Sequence, residues 1–142
     1  HFDARKSTLE YDTVLAYQRG IIYGRRRAMV EGDKEHVKGV FDTLTNQSME
    51  EFIAKKEKEL GSDALWDTVR RIILYTTDTL WVEHIDTLEH MRQSVGLRAY
   101  GQREPLVEYK KEATGLFKEM EERLKEQVIT MVSGISAGVK AS

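Results

Sequence analysis

The sequence predicts an all-α protein: a long first helix and an antiparallel helical hairpin, plus short helices. Three observations carry that expectation. First, apolar residues recur at steps of three and four from Asp63 to Val132. They are Leu65, Val69, Ile72, Ile73, Leu80, Leu88, Met91 and Val95, then Tyr109, Ala113, Leu116, Phe117, Met120, Leu124, Val128 and Met131. That spacing lines one face of an α-helix. Second, Gly96 to Pro105 interrupts the pattern. Gly96 is a natural helix stop, and Pro105, the only proline, suits a first helical position, where its missing N–H costs nothing. Two helices joined by a short turn lie side by side and antiparallel, so the turn presents Arg98, Tyr100 and Arg103 to solvent. Third, Glu, Lys, Leu and Arg abound while alternating, strand-like runs are few, a helical composition.

Taken in order, residues 1–30 form the first long helix. Asp3 or Ser7 would cap it, and Leu9, Val14, Tyr17, Ile21 and Met29 supply its apolar face. Gly20 and Gly24 each weaken it by roughly 1 kcal/mol relative to Ala, and their spacing reads as a close-packing site. Arg25, Arg26 and Arg27 read as a solvated face, or as a site for phosphate or an acidic partner. Residues 31–62 read as short helices. Glu31–Asp33 breaks the pattern, and a helix over His36–Leu44 turns Val37, Val40, Phe41 and Leu44 inward. Thr45–Gln47 breaks it again, and Ser48-Met49-Glu50-Glu51 forms a capping box for a charged helix to Leu60. Gly61 ends that helix, and Ser62 or Asp63 caps the first arm of the hairpin, which spans 63–132. Trp66 and Trp81 fall beside the arm's main stripe and are expected to pack on the first helix or the short ones. Residues 133–142, small in composition, read as a flexible end.

Composition removes several functions. The chain has 142 residues, enough for one domain with a modest core. It has no cysteine and a net charge of −2, so disulfides and thiolate metal sites are excluded and a general nucleic-acid footprint is disfavoured. No apolar run approaches the roughly 20 residues that span a bilayer, and no signal peptide opens the sequence. Neither GxxxxGK[ST] nor GxGxxG occurs, so no nucleotide cradle is encoded. His84 and His90 lie on different sides of a helix and lack the Glu-x-x-His pattern, so no metal is expected. Asp86 and His90 read as a surface pair. No nucleophile elbow is present, and catalysis by this stretch is not expected.

Two stretches are more specific. Phe2-Asp3-Ala4-Arg5-Lys6, Leu9-Glu10-Tyr11-Asp12 and Gln18-Arg19 resemble the start of the long scaffold helix of the SecA family, the motor ATPases of bacterial preprotein translocation. Leu80-Trp81-Val82-Glu83-His84-Ile85, Met91-Arg92-Gln93, Leu97 through Pro105 and Glu108-Tyr109-Lys110 resemble that family's two-helix finger. The resemblance covers residues 1–30 and 75–132. It implies the scaffold and finger portion of a larger machine, whose two RecA-like motor domains lie before His1 and bind ATP and magnesium. No cofactor is then expected in this portion, which would be inactive alone as an ATPase. The implied partners are the SecY channel, an unfolded preprotein and the parent's motor domains, with a cytoplasmic location peripheral to the plasma membrane. By motif match Tyr100 is the finger-tip tyrosine that touches the preprotein, flanked by Arg98 and Arg103. Leu9, Tyr11, Asp12 and Gln18 would meet the motor domains. The family's wing is considerably longer than Val30 to Thr76, so a reduced wing is expected. Two rival readings are a free-standing helical adaptor with an exposed apolar stripe and a nucleic-acid binder using the arginines; overall acidity counts against the latter.

Overall fold

Side-chain periodicity becomes five helices in the computed structural model, which describes residues 2–98 and 105–135. They are α1 (Phe2–Glu31), α2 (Lys34–Thr45), α3 (Glu50–Leu60), α4 (Ser62–Arg98) and α5 (Pro105–Ser133). No strand occurs among the described residues, and the protein is all-α. None of these helices is long and apolar enough to cross a membrane.

The helix ends follow local chemistry, with corrections. Asp3 and Ser7 both lie inside α1 rather than capping it. Asp33 caps α2, its carboxylate accepting the His36 amide at 3.1 Å. Its ring partner His36 Nδ1, at 2.8 Å, holds the Asp33 carboxyl below its usual range. The capping box at Ser48 does not form: α3 opens at Glu50 with Met49 in the capping position, without a side-chain cap. Asn46 and Gln47 both adopt positive φ, 52° and 60°. The chain passes the turn through these left-handed residues, with the Ser48 amide on the Thr45 carbonyl and Met49 buried beneath. Gly61 ends α3 at φ 89°, a conformation L side chains avoid, and its carbonyl accepts the Leu65 amide. Neither Ser62 nor Asp63 is therefore the cap of α4; the Ser62 hydroxyl donates to Glu57 instead. Gly96 does not stop α4, which continues to Arg98. Pro105 opens α5.

The chain divides into two compact units, His1–Tyr23 with Thr79–Glu122, and Gly24–Asp78 with Arg123–Ser142. In the first, Leu88, Met91, Val95, Tyr109 and Ala113 form a buried cluster against which Tyr11, Val14, Leu15 and Leu116 pack. In the second, Met29, Val37, Phe41, Ile53, Leu65, Trp66, Val69, Ile73, Leu124, Val128 and Val132 are buried. Trp66 meets Phe41 edge-on at 5.8 Å and donates its indole N–H to Glu57 at 3.1 Å. The stripes of the two hairpin arms are buried or half-buried, except that Met131 is exposed and Val132 takes the inner place.

The face of α1 differs in part from the expected one: Val14 packs on the first unit's core and Met29 is buried, as expected. Tyr17 and Ile21 are exposed, while Leu15 is half-buried and Gln18 and Ile22 are buried. The inner residues thus run Tyr11, Leu15, Gln18 and Ile22, steps of four, three and four. Gly20 and Gly24 are not close-packing sites, because nothing lies within 4 Å of a Cβ built on either. Gly32 is different: a Cβ there would sit 2.3 Å from the Ala28 carbonyl oxygen and 2.7 Å from His36 Cβ. The α1–α2 corner closes around it. Arg70 reaches that corner from α4, donating to the carbonyls of Met29, Val30 and Gly32. Of the arginine cluster, Arg26 pairs with Asp78 at 3.1 Å, both about half exposed.

Candidate functional site

The hairpin end is the place where the sequence puts recognition chemistry, and in the first unit the helices deliver two flanks to it. The buried seam reaches Val95 on α4 and Tyr109 on α5, 0% and 2% exposed. Beyond the seam, Leu97 at the end of α4 and Val107 at the start of α5 are exposed, 82% and 61%. Apolar side chains so exposed beside a buried seam are available for contact. Tyr100 and Arg103 lie outside the described residues. Arg98 is the last residue of α4, and its side chain lies outside what is described.

A layer of aromatic and ionic contacts braces this end. Tyr11 of α1 meets Tyr109 of α5 edge-on, with ring centroids 4.7 Å apart and planes at 77°. Edge-to-face geometry places the positive ring edge against the negative face. Arg92 of α4 lies over the Tyr11 ring at 4.6 Å and reaches Asp12 at 3.5 Å. Three helices therefore meet through one tyrosine ring. Burial pushes the Tyr109 phenol up from its ordinary range, because the phenolate would lose its hydration.

Deeper in the unit lies a buried polar relay. Gln18 of α1, 4% exposed, donates its amide to the Ala113 carbonyl of α5 at 3.1 Å. Its Oε1 stands 2.6 Å from Nε2 of His84 on α4, itself 2% exposed. With the Gln18 amide nitrogen given to Ala113, the oxygen faces His84, so the proton between them belongs to His84 Nε2. The imidazole ring is bounded by Trp81 at 5.5 Å and Phe117 at 5.7 Å.

The residues expected to meet motor domains have these surroundings within the chain. Gln18 is enclosed by the hairpin, and the Tyr11 ring is half-buried between Tyr109 and Arg92. Asp12 is exposed beside Arg92. Leu9 lies in α1, its side chain outside what is described. On the outer side of α1, a groove of about 650 Å³ runs between Val14, Tyr17 and Ile21 and the Lys110, Phe117 and Lys118 side of α5. His90 bonds the Asp86 carbonyl at 2.9 Å on the surface. No cluster of three metal-ligating residues occurs among the described residues.

Sequence reasoning missed the pairing of His84 with Gln18 and the Arg70 clasp. A signal for the first existed: Gln18 falls at an inner step of the α1 seam, as His84 does in the series His84, Leu88, Met91, Val95. A polar residue at such a step needs a buried partner. No local pattern identifies Arg70, whose acceptors lie 38 to 41 residues away.

Long helices braced along a helical hairpin define an all-α helical class of protein. The family follows: the chain belongs to the SecA wing and scaffold domain family, whose model matches residues 1–69 and 40–136. It is similar to the protein translocase subunit SecA of Thermodesulfovibrio yellowstonii, 31% identical over 176 positions, covering 92% of this chain and 20% of that protein. The SecA of Acidiphilium cryptum is 31% identical over 194 positions, covering 97% and 21%. That of Syntrophomonas wolfei is 29% identical over 187, covering 93% and 22%. The chain spans about a fifth of the length of these relatives. The first alignment is 176 positions long against a chain of 142 residues, so that relative carries at least 34 further positions within the matched region. The two family matches overlap over 40–69, from within α2 into the first turns of α4, a stretch that includes most of the region where a reduced wing is expected.

Proposed function

We propose that this chain is the scaffold and two-helix finger of a SecA-type protein translocase, and that the finger couples ATP hydrolysis elsewhere in the longer protein to preprotein movement through the SecY channel. Membership of the family supports this reading. The observation that carries it is the hairpin seam, buried as far as Val95 and Tyr109 while Leu97 and Val107 just beyond are exposed. A lever needs that combination: continuous packing along the arms, so that a push at one end reaches the other, and accessible groups at the tip.

In this reading Tyr100 is the tip contact, with Arg98 and Arg103 beside it. A tyrosine ring grips a passing chain of any sequence through apolar contact and a hydroxyl that bonds to backbone. Few rotors make the grip cheap in entropy. The nucleotide, its magnesium and the catalytic groups belong to motor domains outside this stretch. The complex works at the inner face of the plasma membrane, held there through the channel.

The test uses the full-length translocase. Tyr100→Ala is expected to abolish most preprotein transport while melting temperature and basal ATPase activity stay nearly unchanged. Tyr100→Phe and Tyr100→Trp are expected to retain much of the transport, since bulk matters more than the hydroxyl. Normal transport by Tyr100→Ala refutes the finger-tip assignment, and unfolding of the domain shows that Tyr100 is a core residue.

A further inference from the structure

We infer that Gln18 and His84 are positioning residues: together they lock the axial register of α1 against both arms of the hairpin within the first unit. The inference rests on the proposed lever only for its consequence in transport; the lock itself follows from the buried geometry.

The need for a lock arises from the seams. On α1 the inner residues are Tyr11, Leu15, Gln18 and Ile22; on α5 they are Tyr109, Ala113, Leu116 and Met120; on α4 they are His84, Leu88, Met91 and Val95. All three series step by three and four. Apolar side chains repeated in that way pack acceptably in more than one axial alignment, because dispersion and burial are not directional. The two arms of the hairpin follow one another directly in the chain, α4 ending at Arg98 and α5 opening at Pro105. In sequence the first helix reaches α4 only through α2 and α3. The Arg70 clasp and the Arg26–Asp78 pair hold its C-terminal end. Within the first unit the exposed Asp12–Arg92 pair at 3.5 Å is a weaker guide than a buried contact.

The relay supplies the missing direction. Gln18 is satisfied only where its nitrogen meets the Ala113 carbonyl at 3.1 Å and its oxygen meets His84 Nε2 at 2.6 Å. Slide α1 by one turn, about 5 Å, and both contacts break together. The Gln18 amide would remain in an apolar seam, and a buried amide without a partner is expensive. Three features sharpen the discrimination. Ala113 is small and fully buried, so no longer side chain stands between Gln18 and the α5 backbone. Trp81 and Phe117 bound the imidazole ring. Gln18 contacts both arms at once, so neither can shift past α1 without loss. A polar residue in an otherwise apolar seam is the best-attested means of fixing helix register.

The experiment compares distances in full-length protein whose other cysteines have been removed. This stretch contains none, so spin labels at Ala16→Cys on α1 and Glu119→Cys on α5, both exposed positions, report the register alone. The double variant Gln18→Leu/His84→Leu removes both polar partners, a change far milder for stability than orphaning one. We expect a near-native melting temperature, with a second label–label distance population displaced by about 5 Å or a comparably broadened distribution. His84→Gln, which restores an amide donor to Gln18, is expected to return the single native population. A single unchanged distance in the double variant overturns the lock: the apolar seams and the Arg70 clasp would then suffice. A split in His84→Gln equal to that of the double variant overturns it as well. Should the double variant fail to fold, Gln18→Met decides by the same measure, a second population supporting the lock and a single one refuting it. In the same preparations the double variant is expected to keep its ATPase activity and lose transport. A split distribution with unimpaired transport would leave the lock standing and refute the lever, so the two failures are distinguishable.

Discussion

Replacing Arg70 tests whether the α1–α2 corner is held by charge-assisted hydrogen bonds rather than by the apolar core beneath it. The last carbonyls of a helix lack internal partners. At the end of α1 those of Met29, Val30 and Gly32 converge on one guanidinium, with Nη2 to Gly32 at 3.1 Å and Nη1 shared between Met29 and, at 3.4 Å, Val30. A hydrogen bond from a charged donor contributes about 1.5–3 kcal/mol, and a cation at a helix C-terminus adds about 0.3–1 kcal/mol. Two close bonds would then supply several kcal/mol. Ordering a long side chain costs up to about 2 kcal/mol, and exposed carbonyls recover part of the loss from water. The net expectation for Arg70→Ala is a destabilisation of about 2–3 kcal/mol. For a chain of 142 residues that lowers the melting temperature by roughly 6–12 °C. Urea denaturation followed by circular dichroism measures it, with an unchanged slope confirming that the loss lies in the folded state. Arg70→Met keeps the aliphatic stem and should lose nearly as much as Arg70→Ala. Arg70→Lys should recover less than half, since one ammonium lacks the guanidinium fork. A loss below about 0.5 kcal/mol for Arg70→Ala would mean that the core alone sets the corner.

Glycine substitutions should divide by position. Gly32→Ala places a methyl 2.3 Å from the Ala28 carbonyl oxygen and should cost about 1–3 kcal/mol as an overpacked site. Gly20→Ala and Gly24→Ala meet open space inside a helix and should each raise stability by about 0.5–1 kcal/mol; thermal melts of the three decide. The Trp66 indole, the Ser62 hydroxyl and Lys38 hold the Glu57 carboxyl below the usual glutamate value of 4.5. Its stabilising contribution is therefore complete above that value and is lost as the pH falls through the lower folded one. Wild type should lose stability on acidification below about pH 4.5 more steeply than Glu57→Gln; parallel pH profiles would refute the assignment. Calorimetry of this stretch alone with Mg-ATP should show no binding, since no phosphate loop occurs in the sequence; micromolar affinity would overturn that.

The sequence by itself determined the helical class, because periods of three and four are a local property that no tertiary context need supply. Pro105 determined where α5 opens, since its ring sets φ and it lacks the N–H that a first turn leaves unused. The motif series from Leu80 to Lys110 determined the family. Tertiary structure decided which face of α1 turned inward. That helix is apolar on more than one side, and the face bearing Leu15, Gln18 and Ile22 prevailed over the one bearing Tyr17 and Ile21. The polar Gln18 is inside because His84 and the Ala113 carbonyl, 66 and 95 residues away, complete its hydrogen bonds. Local rules also failed at Ser48, where two left-handed residues carry the chain past the capping position, and at Gly96, where α4 continues two residues further. At Gln18 the deciding energy came from partners remote in sequence and at Ser48 from a turn's backbone geometry, and neither is written in the spacing of apolar residues.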